Sequence, residues 1–527
     1  MQEPAVTAGQ VGFRSDRGPV LIALMLSIAL VALDSTILAT AVPSIVGDLG
    51  GFASFPWLFS AYLLTQAVSV PLYGKLADMR GRRPLMVLGV SIFLAGSLIC
   101  LVAPSMGVLI FGRLVQGLGA GAIQPISMTI AGDIYTIAER AKAQGYLASV
   151  WALSSVLGPA LGGVFSQFVS WRWIFAINFP VGALALVMLL RGLKEDVPHQ
   201  RHSVDYAGAA AVAVGGAALL LGLLQGGVTW GWAAWQSLAL GAITVAAMVT
   251  FVFVERRAAE PVLGLWLFRS RMLSASCVVQ LAVGALVVGL TSFVPSYVEY
   301  VLHHTPLVAG FTVATLSMGW PIAASLSGRL YLRIGFRNTS LIGAALSLVA
   351  SLGMVWMDHD STIAWVAGCC FVLGLGMGLV ASPTLVAMQS VVGWARRGVV
   401  TGAAMFARSS GSAVGAALFG AVANAGLVRA LADAPAPPGA AMSATADEAG
   451  EVLQHPGSLP AEVVESVRQG FASGVHNVFV AALAGAALLC VSLLVVPRRP
   501  TPLDEDSELH ADRPGGLRVD TDPQRSD

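Results

Sequence analysis

Charge is scarce in this sequence. Only 11% of its 527 residues are Asp, Glu, Lys or Arg, whereas 56% are hydrophobic. Soluble domains carry roughly 25% charged residues, so this chain lacks the polar surface that water would require. Its mean hydropathy of +0.77 agrees with that conclusion. The composition predicts an integral membrane protein with membrane lipids around it.

The sequence also lacks clustered basic charge and hydrolytic motifs. Its net charge of +1 argues against nucleic acid as a partner, because neutralising phosphates needs a basic surface. HExxH, GxSxG and GxxxxGKS/T motifs are absent, so no catalytic residue, metal or cofactor is expected and ATP-driven pumping has no site. Disulfides are not expected either, since all five cysteines fall inside apolar runs: Cys100, Cys277, Cys369, Cys370 and Cys490.

Long apolar runs make up most of the chain. A helix needs about twenty apolar residues to cross a hydrocarbon core of about 30 Å. The first run follows Arg14 and Arg17 and is longer than a signal-peptide core, so no cleavable signal is expected. An all-α membrane fold of fourteen spans follows, at approximately 19–41, 56–74, 85–104, 107–130, 145–167, 173–191, 206–225, 234–254, 272–298, 306–328, 338–357, 361–383, 398–424 and 474–496.

The basic residues predict the orientation of these spans. Of the 30 Lys and Arg residues, 25 fall in the termini and in the loops on one side. Arg172, Arg429 and Arg468 fall in the opposite loops, and Arg113 and Arg408 fall within spans. The positive-inside rule therefore places both termini in the cytoplasm. We expect a multi-pass protein of the cytoplasmic (inner) membrane.

A duplicated segment divides the chain. Residues 74–83, GKLADMRGRR, follow the second span, and residues 328–337, GRLYLRIGFR, follow the tenth. Two six-span halves with an inserted pair of helices explain this placement, and a working site between such halves is a recurring transporter plan. The expected division is an N-terminus at 1–18, a first half at 19–192, inserted helices at 193–271, a second half at 272–498 with an outer loop at 425–473, and a disordered tail at 499–527.

Three charges are predicted deep inside spans. Asp34 lies about 22 Å into the first span, and Arg113 lies about 9 Å into the fourth from the opposite face, so their depths match. A carboxylate in hydrocarbon usually pairs or lines a watery cavity, often as a proton carrier; a static ion pair between the two spans is the alternative. Arg408, near the middle of the thirteenth span, needs a counter-charge, carbonyl groups or a substrate, or else serves helix packing.

Glu299 is a further acidic candidate, near the end of the ninth span beside Tyr297 and Tyr300. Two roles fit it: a proton-binding group at the mouth of a pathway, or a solvated glutamate at a helix end. His303 and His304 are expected in the loop that follows.

Small residues recur in the fifth span. Ser154, Gly158 and Gly162 are spaced by four, a pattern that lets another helix approach closely. Pro159 removes one backbone hydrogen bond and favours a bend. The same spacing of glycines follows Arg408 in the thirteenth span. Bendable, closely packed helices suit two halves that rock, although any tight membrane bundle uses small residues.

Several of these segments resemble signatures of the major facilitator superfamily. Residues 74–83 are similar to its loop signature, residues 113–119, RLVQGLG, to its fourth-helix proton-coupling signature, and residues 158–163, GPALGG, to its fifth-helix antiporter signature. Residues 33–43, LDSTILATAVP, and 171–180, WRWIFAINFP, resemble the fourteen-helix drug:proton antiporter branch. The resemblance covers roughly residues 19–425 and the last span.

This resemblance implies a function and a set of site residues. It implies a proton-coupled secondary transporter, working as a monomer and driven by the proton gradient without a cofactor, that exports small lipophilic or amphipathic compounds such as drugs or antibiotics. The implied proton-coupling pair is Asp34 and Arg113. The implied substrate cavity contains Gln116, Asn178, Arg408 and Glu299. The implied cytoplasmic latch is Gly74, Asp78, Arg80, Gly81, Arg82 and Arg83, and the implied antiporter motif is Gly158, Pro159, Gly162 and Gly163.

The sequence departs from the family pattern in two places. Leu332 stands in the second loop segment where Asp78 stands in the first, so a weaker latch is expected there. Glu299 stands where family members commonly carry glutamine.

Other functions remain open. The same architecture could export one specific lipid or secondary metabolite, or import a nutrient, although the antiporter signature argues against import. A membrane-embedded enzyme would need a nucleophile or metal cluster, and a channel or receptor does not explain the duplicated loop.

The predicted topology can be tested by cysteine accessibility in a background without the native cysteines. Single cysteines at positions 14, 191, 269 and 498 should react only from the cytoplasmic side. Cysteines near positions 232 and 440 should react from the outside. Outside labelling at position 269 would contradict the count of fourteen spans.

Overall fold

A computed structural model describes residues 11–50, 57–195, 206–225, 230–231, 233–257, 266–433, 461–498 and 518–519. Its helices are α1 (Gly18–Leu49), α2 (Trp57–Arg80), α3 (Arg82–Leu101), α4 (Met106–Ile134), α5 (Ile137–Phe168), α6 (Trp173–Ala176), α7 (Asn178–Gly192), α8 (Tyr206–Gln225), α9 (Trp235–Glu255), α10 (Trp266–Arg269), α11 (Arg271–Tyr300), α12 (Pro306–Ile334), α13 (Phe336–Val355), α14 (Ile363–Ser390), α15 (Arg397–Asp433) and α16 (Ala461–Val495). A 3-10 turn, Trp394–Arg396, precedes α15. Strand β1 (Leu193–Lys194) pairs antiparallel with β2 (Arg518–Val519).

Each predicted span coincides with one of these helices, the sixth with the interrupted pair α6 and α7. Eleven described helical segments are long and apolar enough to cross a membrane, and a shorter apolar helix covers Ala210–Leu223. The count of fourteen spans therefore stays a prediction. Helices α15 and α16 extend into both ends of the predicted outer loop, and most of that loop and of the predicted tail lie outside the described residues.

The two copies of the duplicated segment have the same local structure. Gly81 joins α2 to α3 with a φ of 96°, and Gly335 joins α12 to α13 with a φ of 84°. Side chains with a Cβ rarely adopt this region, so glycine permits both abrupt junctions. The segments thus occupy equivalent places after the second helix of each half.

Helix packing repeats between the halves. In the first half α1 packs on α5 and α7, α2 on α4, and α3 on α4. In the second half α11 packs on α15 and α16, α12 on α14, and α13 on α14. The contacts between the halves follow the same symmetry, because α2 meets α15 and α5 meets α12.

The inserted pair lies at the side of this bundle. Helix α8 packs on α9 and also contacts α2 and α15. Between this pair and the second half lies an almost wholly apolar cavity of about 310 Å³. One face of α15 lines it with Ala403, Phe406, Ala407 and Ser410.

The halves are closed against each other at one end, which we call the Asp78 end. There Gln389 Nε2 donates to the Met128 carbonyl over 3.3 Å, and Ser382 Oγ donates to Gln144 Oε1. Tyr331 Oη donates to the backbone carbonyl of Ile137. These hydrogen bonds between the halves lie at one end of the bundle. We call the opposite end the Asp48 end, where Asp48 pairs with Arg172 within the first half.

Cross-linking can test this closure. A Cβ built on Gly145 of α5 would lie 2.5 Å from Ser325 Cβ of α12. A disulfide holds its two Cβ atoms about 3.5–4.5 Å apart, so the two helices need to move apart by only about 1 Å for the bond to form. In a background without native cysteines, Gly145→Cys with Ser325→Cys should form a disulfide on mild oxidation, detected as a linked peptide by mass spectrometry. Gly145→Cys with Ser292→Cys is the control and should stay unlinked. Failure of the first pair to link would contradict a closed Asp78 end.

Candidate functional site

Asp34 of α1 and Arg113 of α4 form an ion pair inside the first half. Arg113 Nη1 donates to Asp34 Oδ2, and the two residues are only 1% and 4% exposed. The sequence predicted that these two residues lie at the same depth, and the structure places them in contact although they are 79 positions apart. An unpaired charge at this depth would be costly, so the pair fixes the relative position of α1 and α4.

Two amides complete the coordination of the Asp34 carboxylate. Gln116 Nε2 donates to Asp34 Oδ1 over 3.0 Å, and Asn178 Nδ2 approaches the same oxygen at 3.4 Å. Both amides also donate to Ser97 Oγ, over 2.8 and 3.1 Å. We call these five residues, from α1, α3, α4 and α7, the Asp34 cluster: Asp34, Ser97, Arg113, Gln116 and Asn178.

Arg113 makes two further hydrogen bonds. Its Nε donates to the Leu58 carbonyl over 3.0 Å, and Nη1 also donates to Gln116 Oε1 over 2.8 Å. The guanidinium carbon lies 4.2 Å from the centre of the Tyr62 ring, a cation–π distance. A protonated Asp34 would therefore leave Arg113 with neutral partners only.

The Asp34 cluster differs from the sequence prediction in one respect. Gln116 and Asn178 were expected to line a substrate cavity, but they are 0% and 2% exposed. Their amides are occupied by Asp34 and Ser97, so in this conformation they line no cavity. Ser97 and Tyr62 were missed by the sequence reasoning. Both are polar side chains at matching depth in apolar spans, which was the available signal.

The antiporter motif packs α5 against α1 next to this cluster. A Cβ on Gly158 would lie 2.1 Å from Thr36 Oγ1, and one on Gly162 would lie 2.2 Å from Thr40 Oγ1. Thr36 Oγ1 donates to the Ser154 carbonyl of α5 over 3.0 Å. Gly163 has no such neighbour. The two glycines spaced by four thus permit the close approach, and α5 runs unbroken through Pro159.

Asp78 caps the first turn of α15 from the other half. Its Oδ1 accepts from the Gly398 amide over 2.9 Å, and its Oδ2 accepts from the Val399 amide over 2.8 Å. A carboxylate is favoured at a helix N-terminus, where unsatisfied amides carry partial positive charge. Gly74 allows the approach, because a Cβ there would lie 2.6 Å from the Gly398 carbonyl oxygen.

Arg82 connects Asp78 to further charges. It is fully buried, and its Nη2 donates to Asp78 Oδ1 over 2.8 Å and to the Trp394 carbonyl over 2.6 Å. Its Nε donates to Asp133 Oδ2 over 3.1 Å, and Arg397 Nη1 donates to Asp133 Oδ1 over 2.9 Å. We call Asp78, Arg82, Asp133 and Arg397 the Asp78 cluster.

The other basic residues of the loop lie outside this cluster. Arg80 is exposed. Arg83 Nη2 donates to the Leu190 carbonyl over 2.8 Å, within the first half, and its backbone amide donates to Glu195. The sequence therefore predicted two members of the Asp78 cluster, Asp78 and Arg82. It did not predict Asp133 or Arg397, because they are distant in the chain from the loop signature.

A separate charged group holds the Asp48 end of the first half. Asp48 Oδ2 accepts from Trp171 Nε1 over 3.0 Å and from Arg172 Nη1 over 2.7 Å. The hydrogen bonds from Arg172 and Trp171 lower the pKa of Asp48 below its ordinary value. Arg172 also donates to the Ala103 carbonyl over 3.2 Å. These contacts give roles to Trp171 and Arg172 of the WRW sequence, and all of them lie within the first half.

Arg408 and Glu299 lie in the second half, away from the Asp34 cluster. Arg408 is partly buried in α15, with its guanidinium against Met405 Sδ one turn earlier. Glu299 lies near the Asp48 end of α11 and has no hydrogen-bond or ion-pair partner among the described residues. His303 follows with a φ of 58°. The four residues expected in one cavity thus separate into two pairs, one in each half.

Comparisons with known proteins place the chain in a family. Residues 24–416 match the profile of the Major Facilitator Superfamily. The chain is 32% identical over 481 residues to Multidrug resistance protein 3 of Bacillus subtilis, covering 90% of this chain and 94% of that protein. It is 35% identical over 414 residues to Multidrug transporter protein MdtP of the same organism, covering 79% and 76%.

The fold agrees with this assignment. The structure of the human organic anion transporter MFSD10 superimposes with a TM-score of 0.61 at 15% identity, covering 91% of this chain and 99% of that one. The predicted fold class, an all-α major facilitator fold, is confirmed, while the count of fourteen spans stays a prediction. The chain therefore belongs to the major facilitator superfamily and is a multi-pass membrane transporter, not an enzyme.

Proposed function

We propose that this transporter exports small lipophilic or amphipathic compounds across the cytoplasmic membrane in exchange for protons. The observation that carries the proposal is the ion pair between Asp34 and Arg113, buried between α1 and α4. An intramembrane carboxylate with one cationic partner is a recurring proton carrier in transporters. The multidrug names of the two Bacillus relatives support the substrate class.

The distribution of basic residues supports a cytoplasmic Asp78 end. With that orientation, the closed contacts between the halves seal the cytoplasmic side, and the conformation described is outward-facing. Export by alternating access then requires the Asp78 cluster to open and the halves to close at the Asp48 end. Paired polar contacts across a closely packed interface suit such a two-state movement.

Proton exchange follows from the coordination of Asp34. In the ionised state the carboxylate accepts hydrogen bonds from Arg113, Gln116 and Asn178. Binding a proton removes the negative charge and leaves Arg113 without a carboxylate, which disfavours the present packing of α1 on α4. Proton binding therefore shifts the population of facing states through its different affinity for each.

Asp34→Asn should abolish this exchange. The amide cannot take up or release a proton, so addition of a transported dye should no longer release protons from the purified transporter in detergent. Gradient-driven efflux from everted vesicles should also fall, by about tenfold or more, since an intramembrane carboxylate is lost. Arg113→Ala should be at least as damaging, and Arg113→Lys intermediate, because lysine keeps the charge without the planar guanidinium.

Asp48→Asn is the matched control, because Asp48 lies on the same helix but pairs with Arg172 at the Asp48 end. It should retain proton release close to that of the parent. If Asp34→Asn released protons as the parent does, Asp34 would not be the carrier, and Glu299 would be the next residue to test.

Asp78→Asn should slow transport while leaving membrane insertion intact. The variant loses the charge that holds Arg82 and the α15 N-terminus, so the closed state becomes less favourable while substrate contacts are unchanged. We expect a several-fold lower maximal rate, with less cross-linking between positions 145 and 325. Asp360→Asn, at an exposed carboxylate, is the control. Parental transport and cross-linking in Asp78→Asn would refute the latch.

A further inference from the structure

Arg408 is a charge that the proposed proton exchange does not use. It lies eleven residues into α15 from the Asp78 end, a distance of about 16 Å along the helix, near the middle of a hydrocarbon core of about 30 Å. No described carboxylate forms an ion pair with it, and its side-chain contact is the thioether of Met405. A guanidinium at this depth is costly without an anionic partner.

The faces of α15 show where Arg408 points. Phe406, Ala407 and Ser410 line the apolar cavity against the inserted pair. Gly411 packs on the Leu281 backbone of α11. The cavity contacts exclude the side that faces the inserted pair. Helix α11 packs beside Arg408 itself, because a Cβ on Gly284 of α11 would lie 2.0 Å from the Arg408 carbonyl oxygen.

Arg408 shares its side of α15 with Thr401. Seven residues of helix turn through nearly two full turns, so Arg408 and Thr401 lie within about 20° of each other. Thr401 Oγ1 accepts from Gln389 Nε2 of α14 over 2.9 Å, and Gln389 also contacts α4 of the other half. Arg408 therefore lies on the face of α15 that turns toward α11 and α14, about 10 Å further toward the Asp48 end than Thr401.

The three charges predicted deep in the spans differ in how they are compensated. Asp34 and Arg113 neutralise each other and are almost fully buried within the first half. Arg408, by contrast, is only partly buried. Of the three charges predicted deep in the spans, it alone is uncompensated among the described residues. Among the described residues, Arg408 thus places an uncompensated positive charge in a region of low dielectric, where an anion is attracted strongly.

We propose that Arg408 binds the acidic group of the transported compound, so that the preferred substrates are amphipathic organic anions. A carboxylate or sulfonate would receive paired hydrogen bonds from the planar guanidinium, and the apolar body would pack on the surrounding helices. As a statement about transported compounds, this proposal rests on the proposed export function. Whether Arg408 binds an organic anion can be measured without assuming export.

Three fluorescent probes with one apolar body test this inference: pyrenebutyrate, its uncharged amide, and pyrenebutylamine. Binding to the purified transporter in detergent is measured by fluorescence titration. The parent should bind the acid about tenfold or more tightly than the amide, and the amine most weakly. Arg408→Gln should lose the preference for the acid while its affinity for the amide stays near the parental value. Arg408→Lys, which keeps the charge, should retain part of the preference.

Arg333→Gln is the matched control, since it removes one exposed positive charge at the Asp78 end of α12. It should keep the full preference for the acid. The inference is wrong if the parent binds acid and amide equally, or if both Arg408 variants keep the parental preference. Uptake of the same probes into everted vesicles separates this inference from the proposed export function. If the parent binds the acid through Arg408 but does not transport it, the export function is contradicted and the binding site is not.

Discussion

A charge in hydrocarbon has to be compensated, and this constraint organises the first half of the transporter. Asp34 and Arg113 neutralise each other, but the pair is tolerated only because the remaining hydrogen-bonding capacity is also used. Gln116, Asn178 and Ser97 satisfy the carboxylate side, while the Leu58 carbonyl and the Tyr62 ring satisfy the guanidinium side. Five helices, α1, α2, α3, α4 and α7, converge on one ion pair, so any change in its protonation acts on all of them.

The closed Asp78 end applies the same constraint between the halves. Asp78 accepts hydrogen bonds from two amides of the α15 N-terminus. The two carboxylates, Asp78 and Asp133, are neutralised by the two guanidinium groups of Arg82 and Arg397. Glycines at 74 and 398 let the backbones meet so that these bonds can form. Exposed ion pairs contribute little to stability, whereas these are buried and depend on one relative position of α2 and α15. Under the proposed function, separation of the halves breaks the bonds from Asp78 to the α15 amides, from Arg82 to the Trp394 carbonyl and from Arg397 to Asp133 together. Arg82 keeps its bonds to Asp78 and Asp133 within the first half.

The sequence predicted the features that depend on residues close together in the chain, and it did not predict the contacts between distant segments. Apolar run length predicted the helices, and helical rise predicted that Asp34 and Arg113 lie at one depth, because both follow from local geometry. The duplicated loop predicted two equivalent halves. Asp133 and Trp394 could not be predicted as partners of Arg82, since they come from segments that meet it only when the helices and halves pack. Gln116 and Asn178 were assigned to a substrate cavity for the same reason: their faces depend on helix rotation, which these nearly uniform apolar spans do not encode.

The separation of Asp34 from Arg408 bears on how coupling could work. A proton and a substrate that competed for one carboxylate would need Asp34 to be accessible to both, yet Asp34 is 4% exposed and enclosed by α3, α4 and α7. Arg408 lies in the other half. If Asp34 carries the proton and Arg408 binds the substrate, the two ligands act on different halves and communicate through the closure of α2 on α15 and of α5 on α12. Each ligand then needs only a different affinity for the two facing states, and no direct contact between them is required.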